Sequence, residues 1–533
     1  MDVSEHRSDE GVRSAAISGP VSEHRSDTGA EASQDGAAIS GPVSEHRSDT
    51  AAPAAVGNPG ELVPIPPVAA RLGEVFAAAG HQLYLVGGPV RDALMGRPVN
   101  DLDFTTDAHP ERVLELVSPL ASGTWTTGIE FGTIGAQIGG QPCEITTFRA
   151  DSYDRVSRNP VVAFGADITE DLRRRDFTMN AMALSVADRG FVDPYGGLAD
   201  LARGVLRTPA TPEESFGDDP LRMLRAARFV SQLGVTPAEP LIEAIRQSSG
   251  ELARITAERV QAELNKLIAG KHPRRGLEVL VDTGLADVVL PELPALRMAA
   301  DEHGQHKDVY AHTLQVLDQA IELEQREPGA EPDLVLRWAA LLHDIGKPDT
   351  RRFADGPGGA KLVTFHHHEV VGARLTKARL KALKFPKDQT EDIARLVFLH
   401  LRFYGYGRGE WTDSAVRRYV ADAGPLLDRL HKLVRSDTTT RNKRKAAMLA
   451  ATYDALEERI ARLREQEELD AIRPDLNGTE IMAILGLEPG PLVGKAYKHL
   501  LELRMEHGPL THEQAVQALR AWHAGQQDPQ PRL

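Results

Sequence analysis

The chain has 533 residues, of which 41% are apolar and 26% charged, with a net charge of −15 and a single cysteine, Cys143. That length exceeds what one hydrophobic core fills, roughly 250–300 residues, so several domains are expected. No run approaches the ~20 apolar residues that span a bilayer, the N-terminus lacks a basic-then-apolar signal layout, and one cysteine excludes an internal disulfide, so a cytoplasmic protein with no membrane partner is expected. The acidic balance disfavours a uniformly basic nucleic-acid binder. Basic residues nevertheless gather at Arg173, Arg174 and Arg175, along 374–387 and in 441–448, which keeps a polyanionic partner open.

In chain order, residues 1–62 come first as a low-complexity tail in which "VSEHRSD" occurs at 3–9, 21–27 and 43–49. With so few large apolar residues this segment cannot offset its ordering entropy, and disorder is expected. A mixed α/β domain follows over 63–207. Its expected parts are a helix at 67–79, the strand "QLYLVGG", a helix at 89–95, the strand "DLDFTT", a helix at 110–117, and strands near 131–138 and 142–149. A loop rich in Arg, Asp and Pro lies at 153–170. Helical periodicity then dominates: 175–185, 219–233, 238–248, 256–269, 273–283 and most of 309–465. The pattern divides into a helical neck (208–300), a helical body (301–465) and a helical tail (466–533) whose last residues are loose. "EPGAEPD" (327–333) and "ADGPGGA" (354–360) read as loops.

The chemistry concentrates in "LVGGPVRDALMGRPVNDLDFTT" (85–106). Gly87 and Gly88 let the backbone turn tightly and approach a ligand with no Cβ in the way. The helix after them points unpaired N–H groups at that place, which suits phosphate, and Arg91 can add a guanidinium. On a strand, residues i and i+2 share a face, so Asp101 and Asp103 present two carboxylates together. Such a pair suits Mg2+, which takes carboxylate and phosphate oxygens. Glu144, in "CEITTF", is a candidate third carboxylate.

This stretch resembles the head-domain signature of the class II CCA-adding tRNA nucleotidyltransferases and bacterial poly(A) polymerases. The resemblance runs from about residue 66 to 285, through "EDLRRRDFTMNAMAL" (170–184), "DPYGGLADL" (193–201), "DDPLRMLRAARF" (218–229) and "ERVQAELNKLI" (258–268). It implies that Asp101 and Asp103 bind Mg2+, that Gly88 and Arg91 lie near a nucleoside triphosphate, and that Arg175 and Asp176 contact its sugar and phosphates. Asp219 and Arg222 would read the base; they share a helix face at i and i+3, and their donors and acceptors complement a cytosine or adenine edge. Arg225 and Arg228 continue that step and would hold phosphates. Asp218 stands where the family usually has glutamate.

In the body, "LRWAALLHDIGKPD" sets His343 and Asp344 together, with His312 upstream in "YAHTL" and Asp437 downstream in "LVRSDTTT". Histidines and carboxylates gathered from separate helices hold divalent metals in bundles. The set resembles the HD phosphohydrolases, with His368 and His400 as additional histidines, and implies a second divalent metal such as Ni2+, Mn2+ or Co2+. "DLNGTEIMAILGLEPGPLVGKAYKHLLEL" (475–503) is similar to the nucleotidyltransferase tail and suits an RNA backbone. The expected activity is template-independent addition of C, C and A to tRNA from CTP and ATP. Adenylate-only addition, poly(A) synthesis, an HD phosphohydrolase with a vestigial head, and a silent RNA-binding protein remain as alternatives.

Overall fold

The computed structural model describes residues 58–99, 101–149, 164–165, 167–298, 308–355, 361–403, 412–440, 442–467, 469 and 472–527. The repeats of the expected disordered tail and the last six residues lie outside these, as does most of the loop expected at 153–170.

The head is built from α1 (Pro67–Ala78), β1 (Leu83–Val86), α2 (Gly88–Leu94), β2 (Leu102–Thr106), α3 (Pro110–Val117), β3 (Gly123–Trp125), β4 (Thr133–Ile138), β5 (Gln141–Thr147), α4 (Ile168–Arg173), β6 (Ala183–Ser185) and β7 (Phe191–Val192). Among the described residues its strands form one seven-stranded sheet in the order β3-β4-β5-β2-β1-β6-β7. Only β2 and β5 pair in parallel within the described ladders of this sheet. Period-2 alternation gives the two faces different characters. Leu85, Phe104, Ile134, Cys143 and Ile145 point to one side and bury Leu72 and Phe76 of α1 and Val113 and Val117 of α3. Register puts Asp103 and Glu144 on the other side, directly opposite each other on β2 and β5.

The helix expected over 175–185 is not formed. A 3-10 turn occupies Thr178–Asn180, and Ala183–Ser185 is a strand that pairs antiparallel with β1. Alternation explains it: Ala181 and Ala183 face a small cluster around Leu172, while Met182 and Leu184 enter the main head core. The edge strand β3 was not anticipated, since all three of its residues are exposed and leave no apolar alternation to read. The first two residues of the expected "ADGPGGA" loop end a strand, Arg352–Asp355, that pairs with Lys361–Thr364, and residues 356–360 lie outside the described residues.

Beyond the head the protein is mostly helical. Helices Leu221–Leu233, Ala257–Ile268 and Pro273–Asp282 of the neck share one hydrophobic core with Val309–Glu324, Leu334–Leu342, Lys387–Leu399 and Leu427–Ser436 of the body. Buried Arg337 joins the two: it pairs with Glu324 and donates from Nη1 to the carbonyls of Ile268 (2.9 Å) and Gly270 (3.2 Å). The tail packs its own cluster of Leu476, Ile481, Ala496, Leu500, Ala515 and Leu519. No helix of the described residues is long and apolar enough to cross a membrane.

Candidate active site and candidate metal centre

β1 runs into Gly87, whose φ of 72° and ψ of −132° place it where only glycine sits without strain. The turn brings the chain against the carboxylate face of the sheet. A Cβ on Gly87 would lie 3.1 Å from Arg175 Nη1 and 3.9 Å from Asp103 Oδ2. Helix α2 starts at Gly88, one residue earlier than expected. Asp101 stands exposed just ahead of β2, and Asp103 is half-buried inside it. Burial, then the charges of Glu144 and Asp101, push the Asp103 carboxyl up to about 6 against the opposing pull of Arg175 and Arg91. A bound divalent cation would reverse the penalty that Glu144 and Asp101 place on the Asp103 charge.

Beside them opens a pocket of about 270 Å3 lined by Arg174, Arg175, Asp176, Asp219, Arg222 and Arg225. Buried Asp176 organises it. Its Oδ1 accepts from the backbone N–H of Phe177 and from Asn180, and its Oδ2 accepts from Arg225 Nε (2.9 Å) and Nη2. Burial would raise this carboxyl, but Arg225 and those hydrogen bonds hold it at about 2. Arg175 is braced by Asp171 at 3.2 Å. Arg222 donates to the carbonyl of Arg174 (2.6 Å) and to Ser215 Oγ (3.0 Å), and Asp219 receives Arg259 at 2.7 Å.

Three expected nucleotide contacts stand apart from this lining. Arg228 is buried, pairs with Glu263 at 3.1 Å and lies over the Phe229 ring, so it braces the neck. Arg91 forks onto Asp92 and donates to Asn180 at 2.8 Å, and Gly88 sits at the helix start. Arg259, Asn180 and Glu263 went unread although each lies in a quoted block, because partner choice across helices leaves no mark on spacing.

In the body, helix ends deliver the candidate ligands. His343, His400 and Asp437 are the C-terminal caps of their helices, His368 begins one, and His312 sits in the first turn of Val309–Glu324. His343, His368 and His400 each donate Nδ1–H to the carbonyl three residues back, Ala340, Phe365 and Val397, at 2.9, 2.8 and 2.6 Å. That fixes the tautomer and turns Nε2 inward as a lone pair. The Nε2 atoms of His343 and His312 approach to 3.4 Å and those of His368 and His400 to 3.3 Å. Asp344 spans both groups, with Oδ2 3.1 Å from His343 and Oδ1 3.3 Å from His368, and Asp437 lies 3.0 Å from His312. His312, His343 and Asp437 form one metal-sized cluster; Asp344, His368 and His400 form another. Burial, then His343 and His368, push His400 down to about 3, so it stays a neutral donor. Lone pairs facing one another beside two carboxylates fit divalent cations. All six expected residues are thus brought together.

Residues 83–207 match the model of the poly A polymerase head domain, 234–296 that of the probable RNA and SrmB-binding site of polymerase A, and 309–457 that of the HD domain. The chain is 36% identical over 449 residues to an A-adding tRNA nucleotidyltransferase of Deinococcus radiodurans, covering 82% of this chain and 95% of that protein. It is 43% identical over 213 residues to a CCA-adding enzyme of Lactiplantibacillus plantarum, a match that spans about half of that protein (51%). Its fold is similar to that of the Bacillus stearothermophilus CCA-adding enzyme solved in complex with CTP, with a TM-score of 0.62 and 26% identity over 86% of this chain and 98% of that one.

Proposed function

The chain belongs to the tRNA nucleotidyltransferases, and from that premise we propose that it adds C, C and A in turn to tRNA 3′ ends from CTP and ATP, releasing pyrophosphate in the cytoplasm. The observation that carries this reading is the carboxylate group of Asp101, Asp103 and Glu144 set against a glycine turn and an arginine-lined pocket. Nucleotidyltransferase and HD domains both imply dependence on divalent metal.

In the head, Asp101 and Asp103 would hold Mg2+, which when bound supplies charge neutralisation on the triphosphate and acidifies the attacking 3′-hydroxyl. Gly87 and Gly88 leave room for the phosphates, and Arg175, braced by Asp171, offers them a fixed guanidinium. Arg222 and Asp219 present donors and an acceptor to the base from one end of the neck helix. Asp176 lines the same pocket and holds Arg225 in place there. In this reading residues 63–207 select and activate the nucleotide, 208–300 read its base, 301–465 carry a separate hydrolytic centre, and 466–533 grip the RNA.

In the body His312, His343, Asp344 and Asp437, with His368 and His400, would hold Ni2+, Mn2+ or Co2+, which acidifies bound water toward neutrality for attack on phosphate esters at RNA 3′ ends. The exposed Lys443 at the start of helix Lys443–Gln466 offers positive charge nearby.

A second reading, adenylate-only addition, is favoured by the relative that spans 95% of its length, which is named A-adding. One experiment separates the two: tRNA ending at the discriminator base and tRNA ending in CC are each incubated with labelled CTP or ATP separately. Incorporation of CTP supports complete CCA synthesis. Incorporation of ATP alone, and only onto tRNA already ending in CC, replaces it with the A-only reading.

A further inference from the structure

On the carboxylate face of the head sheet, register sets four residues side by side: Trp125 of β3 opposite Gly135 of β4, Gly135 opposite Glu144 of β5, and Glu144 opposite Asp103 of β2. The absent side chain at Gly135 is filled by the indole. A Cβ there would fall 1.8 Å from Trp125 Nε1, 2.0 Å from Cε2 and 2.5 Å from Cδ1. The ring therefore lies across β4 toward Glu144 and Asp103. It is not a core residue, for it remains 40% exposed and stands outside the buried cluster of the head. A large aromatic held beside a charged site, with its surface open, suits a partner with a flat face.

The sheet order says which partner. The glycine turn and Arg175 lie on the β1 side of Asp103, and Trp125 lies on the opposite side, beyond β5 and β4. An in-line displacement puts the leaving pyrophosphate and the attacking 3′-hydroxyl on opposite sides of the α-phosphorus. With the triphosphate at the glycine turn, the RNA end must approach from the β5-β4-β3 side. Gly135 lies two strand spacings from Asp103, about 10 Å, a span that one base with its ribose and 3′-hydroxyl bridges.

We propose that Trp125 is the stacking platform for the 3′-terminal base of the RNA being extended, holding its 3′-hydroxyl toward Asp101 and Asp103. The proposal rests on the reading of those aspartates as the metal carboxylates. Stacking tolerates any base because every base has a π-face. That suits an end whose terminal base changes with each addition.

The test uses the full chain, tRNA lacking CCA, and W125F, W125L and W125A. Leu covers Gly135 without offering a π-face, so W125L separates stacking from mere cover. The KM for tRNA should rise about tenfold or more in W125L and W125A, the KM for CTP should stay within about twofold, and W125F should remain near wild type. An RNA minihelix ending in 2-aminopurine should lose fluorescence on binding wild type and W125F but not W125L. Equal KM values for wild type and W125L overturn the proposal, as does an unquenched 2-aminopurine end on the wild-type protein. If the wild-type protein adds no nucleotide at all, the reading of the aspartates fails instead.

Discussion

At Gly87 the backbone conformation and the free space are both at their limit, since φ is +72° and Arg175 Nη1 stands 3.1 Å from where a Cβ would be. Gly87→Ala should therefore lose addition activity and about 1–3 kcal/mol of stability. Gly88→Ala should be milder, because a Cβ there meets nothing closer than 3.8 Å; kcat/KM for CTP and Tm on both variants check the contrast. Asp101→Ala and Asp103→Ala should each abolish addition with the far-UV circular dichroism unchanged, since each removes a proposed metal ligand while only Asp103 is even half-buried; turnover near wild type in either sinks the site. Asp176 makes a pH prediction. Its folded carboxyl titrates at about 2 against an ordinary 3.8. Its contribution, on the order of 2 kcal/mol, is then fully present above about pH 4 and is lost as pH falls toward 2. Urea midpoints between pH 5 and 2 should show Asp176→Asn losing the wild-type advantage progressively, and a constant gap refutes this. The glycines and the aspartate pair were legible because their spacing alone carries the reason. The i, i+3 rhythm that makes Arg228 an expected phosphate ligand is equally the rhythm of a buried brace to Glu263, and spacing alone does not tell the two apart.

The neck helix Leu221–Leu233 shows what an element adds to its residues. Pro220 and the carboxylate of Asp219, which accepts from the Leu221 N–H at 3.1 Å, set its start, and Arg222 in its first turn is clamped by the carbonyl of Arg174 and the hydroxyl of Ser215. On the proposed reading a guanidinium fixed in this way is a template for a base edge, so Arg222→Ala should admit UTP and GTP, at about 1–3 kcal/mol of lost discrimination. Arg222→Lys should not restore selectivity, because an ammonium cannot satisfy two protein acceptors and a base edge with a planar fork. Misincorporation assays with each nucleotide decide it, and an unchanged preference in both variants would make the helix a support only. Long amphipathic helices of this kind were readable from periodicity. The segment 175–185 was not, since "FTMNAMAL" satisfies a helical pattern and an alternating one alike. Pairing with β1 chose the alternating one, a contact separated by about a hundred residues that no local window contains.

Across the molecule, the two candidate centres draw on different elements and different ligand chemistry. The head offers carboxylates alone, which suit Mg2+, and the body offers four imidazoles with two carboxylates, which suit softer ions. Their ligands share no residue, and the body ligands sit on helix ends packed in the neck-and-body core, whereas the head has its own core beneath the sheet. Changes in the two centres are therefore expected to act separately. His343→Ala should abolish hydrolysis of 2′,3′-cyclic and 3′-phosphate substrates in Ni2+, Mn2+ or Co2+ and leave nucleotide addition in Mg2+ within about twofold. Asp103→Ala should do the reverse. His343 is buried, so its loss also tests packing, and Tm must be read beside both activities. His343→Gln supplies a control, for it fills much of the space without the imidazole Nε2. A wild-type protein that hydrolyses none of these substrates in any of the three ions would leave the histidine cluster a metal-holding brace of the body. Loss of addition in His343→Gln at unchanged Tm would show instead that the two centres are coupled.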